Sequence, residues 1–266
     1  MANAFLLKPL PIIAASSNRT TLGVPLNVAN DYAGVVWQTA AYDNVEQLTL
    51  DLGKAQPVDT IMLFGVVLAA GVNPNMRVYL AADGDAGFAN PVYTSAGQAT
   101  LAGSAKSVNG TGATIWQAPA AAITCRYVRL EWGGFNQAGD PLTISRAVIG
   151  QRIVPQRNFT YGGSAGVRDL GSLDFSPRGV LLRRRGAKLR TVSLSFSSLY
   201  RDEVEGLVKP LLEQLGNTDM VALVTDPAAH AQLMNRCYYG PLVGDLGVTR
   251  RNAAAYEAKI NMASIF

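Results

Sequence analysis

From residue 35 onward, apolar and polar side chains change places at every second position, in short runs separated by Gly, Pro, Asn and Asp. Residues 47–52 set Leu48, Leu50 and Leu52 against Thr49 and Asp51. In 76–81, Met76, Val78 and Leu80 share one parity; in 126–131, Val128 and Leu130 alternate with Tyr127 and Arg129. Residues 142–149 close the series with Leu142, Ile144, Val148 and Ile149. A period of two predicts strands with one buried face, because successive side chains leave a strand on opposite sides. Residues 58–68 are apolar on both parities, which predicts a strand covered on both faces. Turn signals such as Asp83-Gly84-Asp85 and Asn109-Gly110 fall between the runs, and nothing before residue 150 repeats with a helical period. The first 150 residues therefore predict an antiparallel β-sandwich.

After residue 150 the pattern changes. Residues 151–164 read as a linker or the entry to a new unit, and 171–179 continue the irregular composition. Residues 188–196 alternate, with Val192, Leu194 and Phe196 opposite Ser193 and Ser195. Val204, Leu207, Val208, Leu211, Leu212 and Leu215 then recur at the spacing of one helical face. Ser198 or Asp202 suits its start, Gly216 its end, and Pro210 predicts a kink. Residues 220–225 and 236–243 read as strands, and 255–265 as a long one with Tyr256, Ala258, Ile260 and Met262 on one face. The whole chain is expected to be mainly β, with domains at 1–150 and 151–266, the second an α+β unit with one helix on a small sheet.

Composition shifts this picture toward an assembly. Only 16% of the 266 residues are charged, against roughly 25% in an average soluble domain, and interface cores are depleted in charge. The net charge of +4 is uneven: residues 1–150 hold eight basic and nine acidic side chains, residues 151–266 fifteen and ten. That excess is too mild for a dedicated nucleic-acid binder. Cys125 and Cys237 read as buried free thiols. With one histidine and two cysteines, His-Glu-x-x-His and zinc-ribbon sites are excluded. Gly162-Gly163-Ser164-Ala165-Gly166 matches G-x-S-x-G as a string, with His230 downstream, but its neighbours predict neither a buried strand before the serine nor a helix after it. No enzyme is expected. Lys8, Pro9 and Pro11 interrupt the first apolar stretch, unlike a secretory leader. The longest apolar run, 60–72, falls short of the about 20 residues that span a bilayer. These features predict a chain made and kept in a cytoplasm, at least at first.

A resemblance adds detail. Asn30-Asp31, Trp37-Gln38, Leu48-Thr49-Leu50-Asp51-Leu52-Gly53, Val58-Asp59-Thr60-Ile61, Arg77-Val78-Tyr79-Leu80, Arg126-Tyr127-Val128-Arg129-Leu130-Glu131 and Ile149-Gly150 occur in an order that resembles a discoidin (coagulation factor 5/8 type C) domain over residues 15–150. The resemblance implies a jelly roll of the galactose-binding-like fold, whose loops at one end often bind sugars, lipids or proteins. Loops 27–34, 70–75 and 133–141, with adjoining Trp132, then supply the candidate carbohydrate contacts Asp31, Tyr32, Asn73, Asn75, Trp132, Phe135, Asn136 and Asp140. Trp132 and Phe135 would stack on a pyranose, and Asp31 or Asp140 would accept its hydroxyls. The alternative is that Trp37, Trp116 and Trp132 fill the core while the Asn and Asp residues make turns. The His-and-Arg clamp of fucose-binding relatives has no counterpart, because the only histidine, His230, lies outside this region. No cofactor is expected; the alternative, as in many discoidin relatives, is a Ca²⁺ ion in the sandwich, here through Asp31 and backbone carbonyls.

The second half is similar to another family. The strand Arg190-Thr191-Val192-Ser193-Leu194-Ser195-Phe196, the helix of 203–216, Asp226-Pro227, Tyr238-Tyr239-Gly240-Pro241 and the final strand resemble, over residues 155–266, the distal tail or belt proteins of long-tailed bacteriophages. The resemblance implies a split barrel that closes into a ring, usually a hexamer, joining tail tube protein to baseplate hub; here the sandwich precedes that domain instead of following it. Val192, Leu194, Tyr256, Ile260 and Met262 are the candidate ring contacts, since strand edges left open by a small barrel are completed by identical neighbours. Arg183, Arg184, Arg185, Lys188 and Arg190 form the densest basic cluster, facing transiting phage DNA, acidic subunits or solvent. The expectation is a structural virion protein at a phage tail tip, with host surface glycans as further partners of the sandwich. The alternative is a lectin-like carbohydrate-binding module with an accessory domain.

Overall fold

The computed structural model describes residues 3–39, 45–105, 110–134, 141–252 and 255–266. The chain divides into two compact units, Met1–Ile153 with Val224–Cys237, and Val154–Leu223 with Tyr238–Phe266. It is mainly β. No helix among the described residues is long and apolar enough to cross a membrane.

The first unit is a β-sandwich. One sheet runs in the order Ala14–Ser17, Glu46–Val58, Ile123–Gly133, Asn75–Ala81, Tyr93–Thr94, with Gln98–Ala99 also on the Asn75–Ala81 strand. The other places Thr60–Val66 between Arg146–Gly150 and Gly112–Gln117, and a bridge from Val67 to Thr143 continues it into the pair Thr143–Ile144 and Trp37–Gln38. Every pairing is antiparallel. Register aligns the apolar parity across strands: Leu130 stands opposite Leu48 and Val78, and Val128 opposite Leu50 and Leu80. These residues meet Ile61, Leu63, Trp116 and Ile149 of the facing sheet in one buried cluster. Burying alternate positions of two sheets against each other is what closes a sandwich. Thr60–Val66 is buried at every residue, as its double apolar parity requires.

The Ile123–Gly133 strand slips register between Cys125 and Tyr127. Four residues of the partner strand, 52–55, stand there against one, Arg126, which donates two hydrogen bonds of 2.9 and 3.0 Å to Asp51 and a third to Asp83. A bulge thus re-aims a side chain at the cost of local pairing. Segment 224–237, far along the chain, belongs to this unit: Ser104 and Ala105 donate backbone hydrogen bonds to the Ala231 carbonyl. Gly103 is required there, because a Cβ would stand 2.6 Å from the carbonyls of His230 and Ala231.

The second unit carries a four-stranded sheet in the order Ser164–Asp169, Lys188–Leu199, Tyr256–Ser264, Val248–Arg250. Met220–Val224 and Cys237–Pro241 pair with each other. The helical stretch begins at Arg201–Glu203, widens to a π turn at Val204–Val208 and resumes as α-helix over Lys209–Leu215. Val204, Val208, Leu211, Leu212 and Leu215 are buried, whereas Leu207 is exposed. The wider turn explains Leu207, since it rotates the residues within it away from a 3.6-residue phase. Pro210 explains the turn: it has no N–H for the Gly206 carbonyl, and its ring would press on that carbonyl in an α-helix. The start differs from expectation too. Neither Ser198 nor Asp202 caps it; the Glu203 carboxylate accepts from the Tyr200 and Gln156 backbone N–H groups.

Residues 171–179, read as irregular, instead contain the strand Ser172–Phe175, which pairs with Leu181–Arg184. Together with Ser164–Asp169 and the start of Lys188–Leu199, they form one long hairpin arm, 164–190.

Candidate functional site

Proline sets the backbone of the first loop. Pro25 opens the short 3-10 helix Pro25–Ala29, and its fixed φ suits that position. Asn27 donates to the Val36 carbonyl at 2.8 Å, and Asn30 donates to Asn27. The Asn30 side chain also accepts from Tyr32 N at 2.8 Å, and Tyr32 O accepts from Val35 N. Below the loop, buried Arg146 holds Asp31 at 3.2 Å and donates to Val28 O. Gly23 lets the entry strand pass, since a Cβ there would stand 2.1 Å from Val36 O. This network leaves Tyr32 75% exposed on a hydrogen-bonded loop, next to Asp31. An aromatic ring face beside a carboxylate is a surface on which a sugar can stack and hydrogen-bond.

The other sequence candidates disperse. Trp132 is fully buried against Trp37, with ring centroids 6.2 Å apart, so it fills the core and cannot stack on a ligand. The reason is parity: it shares the inward side of its strand with Val128 and Leu130. Asn73 braces a loop by accepting from Leu101 N at 3.0 Å. Asn75 is exposed on the ladder opposite Gly133. Phe135, Asn136 and Asp140 lie outside the described residues. No group of three or more His, Cys, Asp or Glu side chains that could hold a metal ion comes together among the described residues. Asp31, the candidate Ca²⁺ ligand of the alternative, already faces the Arg146 guanidinium, a poor companion for a second cation.

In the second unit, Val192, Leu194, Ile260 and Met262 are buried within a single chain. Val192 pairs directly with Met262 and Leu194 with Ile260, so they are this chain's own core and not contacts between copies. Tyr256 stays half-buried and lines a surface groove of about 390 Å³ with Val204, Leu212 and Val248. Arg190 also leaves the basic cluster, lying 4.4 Å from the Tyr238 ring centre as a cation–π pair. Arg183, Arg184, Arg185 and Lys188 remain together and exposed, lining a concavity of about 590 Å³ with Asp169 and Leu173. Ser164 starts an exposed extended strand, not the strand-to-helix turn a nucleophile elbow needs.

The arm that holds this cluster was not read from the sequence as a site. Cross-strand register puts Leu173, Phe175 and Leu181 on one of its faces with Arg183, and Asp174, Leu182 and Arg184 on the other. All of Val167, Leu170, Leu173, Phe175, Val180, Leu181 and Leu182 are exposed. Gly171 and Gly186 cross beneath the tip; a Cβ on Gly186 would stand 2.4 Å from Gly171 N. The alternation Leu173-Asp174-Phe175 was the available signal, masked by flanking Gly, Ser and Pro.

No protein-family model matches this chain, and no curated protein matches it. Solved structures similar to it include a Streptococcus pneumoniae fucose-binding module, SpX-3, at 13% identity and TM-score 0.41, covering 55% of this chain and 98% of that one. The family 32 carbohydrate-binding module of C. perfringens NanJ, in complex with galactose, shows 12% identity and TM-score 0.39, covering 54% and 98%. The lectin domain of Lectinolysin complexed with Lewis B antigen shows 19% identity and TM-score 0.36, covering 52% and 92%.

Proposed function

We propose that the protein is a carbohydrate-binding module protein in which the sandwich recognises glycans through the 27–35 loop. The exposed Tyr32 ring on its hydrogen-bonded loop carries this reading. Holding the loop in place before the ligand arrives removes part of the ordering cost of binding. One aromatic platform gives weak affinity, which multiple copies raise by avidity. The test is a glycan array followed by titration of any bound glycan against the wild type and Tyr32→Ala. Truncation of a central aromatic contact is expected to weaken binding by at least about tenfold, with thermal stability unchanged because Tyr32 is exposed. Silence across the array, or affinity indifferent to Tyr32→Ala, removes the reading.

One observation favours a second reading, a structural virion protein of a bacteriophage tail tip whose subunits form a ring between tail tube and hub. It is the arm, whose exposed apolar side chains suit burial by a neighbour. Electron microscopy of the protein alone and in particles tests it; a chain that never joins a ring or virion sinks it.

A further inference from the structure

We infer that the 164–190 arm of one copy docks in the groove beside the helix of a second copy of this chain, in a head-to-tail contact. This goes beyond glycan binding and gives the tail-tip reading, on which it does not depend, a specific surface. Leu173, Phe175 and Leu181 are 64, 62 and 49% exposed. The Ser172–Phe175 and Leu181–Arg184 strands pair only with each other among the described residues. A two-stranded hairpin of that kind is marginal in water, and large apolar side chains on exposed strands mark interaction sites. An arm of this composition is built to be covered.

Charge selects the occupant. The arm carries seven basic and two acidic side chains, while segment 201–219 carries two basic and five acidic ones. Within the same unit, the groove offers an apolar floor of Val204, Leu212, Val248 and Tyr256, with Glu205 and Glu213 on it beside one cation, Lys209. These carboxylates meet Arg201 and Lys209 in exposed i,i+4 pairs. Such pairs contribute little and can be exchanged for a neighbour's arginines. The apolar arm face with Arg183 thus matches the groove in apolar character and is opposite to its carboxylates in sign. Every copy bears both halves at different places, so the contact is heterologous; repeated, it closes a ring or extends a filament.

The experiment compares masses of the purified full chain by sedimentation over a range of concentrations. Wild type is expected to associate. Phe175→Ser with Leu181→Ser on the arm, and Glu205→Lys with Glu213→Lys in the groove, are each expected to weaken association by at least about tenfold. At dilutions where wild type is monomeric their melting temperatures should match its value, because these residues are exposed in one copy. An equal mixture of arm and groove variants should form pairs and nothing larger, since one intact contact per pair remains. A wild type that stays monomeric overturns this contact, whereas the tail-tip reading falls only if the chain also stays out of rings in particles. Association that survives the arm variants overturns this contact alone. Unchanged association accompanied by loss of duplex DNA binding in Arg183→Glu also overturns it and assigns the arm to a polyanion.

Discussion

Tyr32 and Trp132 are both aromatic, yet only one is free to meet a ligand. Trp132 faces inward opposite Met76 and Glu46, and Tyr32 stands on a loop whose hydrogen bonds spend its neighbours and leave its ring outside. Trp132→Ala is therefore expected to cost about 3–5 kcal/mol of stability, read from urea unfolding. A small loss would place the ring outside the core. Asp51 gives a second expectation at this scale. Hydrogen bonds from Arg126 hold its carboxyl below the ordinary range; burial opposes this, and the Gly53 N–H adds to it. A lowered folded-state value means the pair stabilises fully above the unfolded carboxylate pKa of about 3.9, and its contribution is lost as pH falls through the folded value. The urea midpoint of Asp51→Asn should lie below that of wild type at neutral pH, the gap closing in acid. A pH-independent gap would point to packing alone. Burial pushes the Cys125 thiol up to about 12, so it acts as a small core side chain.

At the scale of elements, the helix shows where periodicity is a good guide and where chemistry corrects it. The stripe from Val204 to Leu215 was legible because a helix must bury one face. Leu207 escaped it because Pro210 imposes a π turn that no count of apolar spacing contains. Pro210→Ala should let the helix run regularly and raise the unfolding free energy by up to about 3 kcal/mol. Circular dichroism with urea unfolding checks this; a destabilised variant would mean that the π turn is fitted to its surroundings. The long strands were legible for the same reason as the helix, since a half-buried sheet imposes period two. The arm was not: its apolar residues have no core to face within one chain, and the short Leu173-Asp174-Phe175 alternation is masked by its Gly, Ser and Pro neighbours.

For the molecule as a whole, the chain returns to its first unit over Val224–Cys237. A fragment of residues 1–153 would leave Gly103 and Gly112 without the Ala231 carbonyl and Met234 that pack on them. Such a fragment should unfold at lower denaturant than the full chain, followed by the fluorescence of Trp37, Trp116 and Trp132, all within the sandwich. Equal stability would make the 224–237 segment a passive neighbour. The sparse charge of the chain and the bare arm belong to this scale too, as properties of surfaces rather than of any one strand.

The sequence alone determined that a β-sandwich forms in the first half and that an amphipathic helix sits among strands in the second, because side-chain alternation is dictated by local backbone geometry. It gave the stacking role to Trp132 and Phe135, named Tyr32 only among the loop candidates, and placed the contacts between copies on Val192, Leu194, Tyr256, Ile260 and Met262. Tertiary structure decided which of these face inward, since burial depends on what another part of the chain brings opposite them. It alone also brought the arm into view, because whether an apolar residue is covered depends on contacts many positions away.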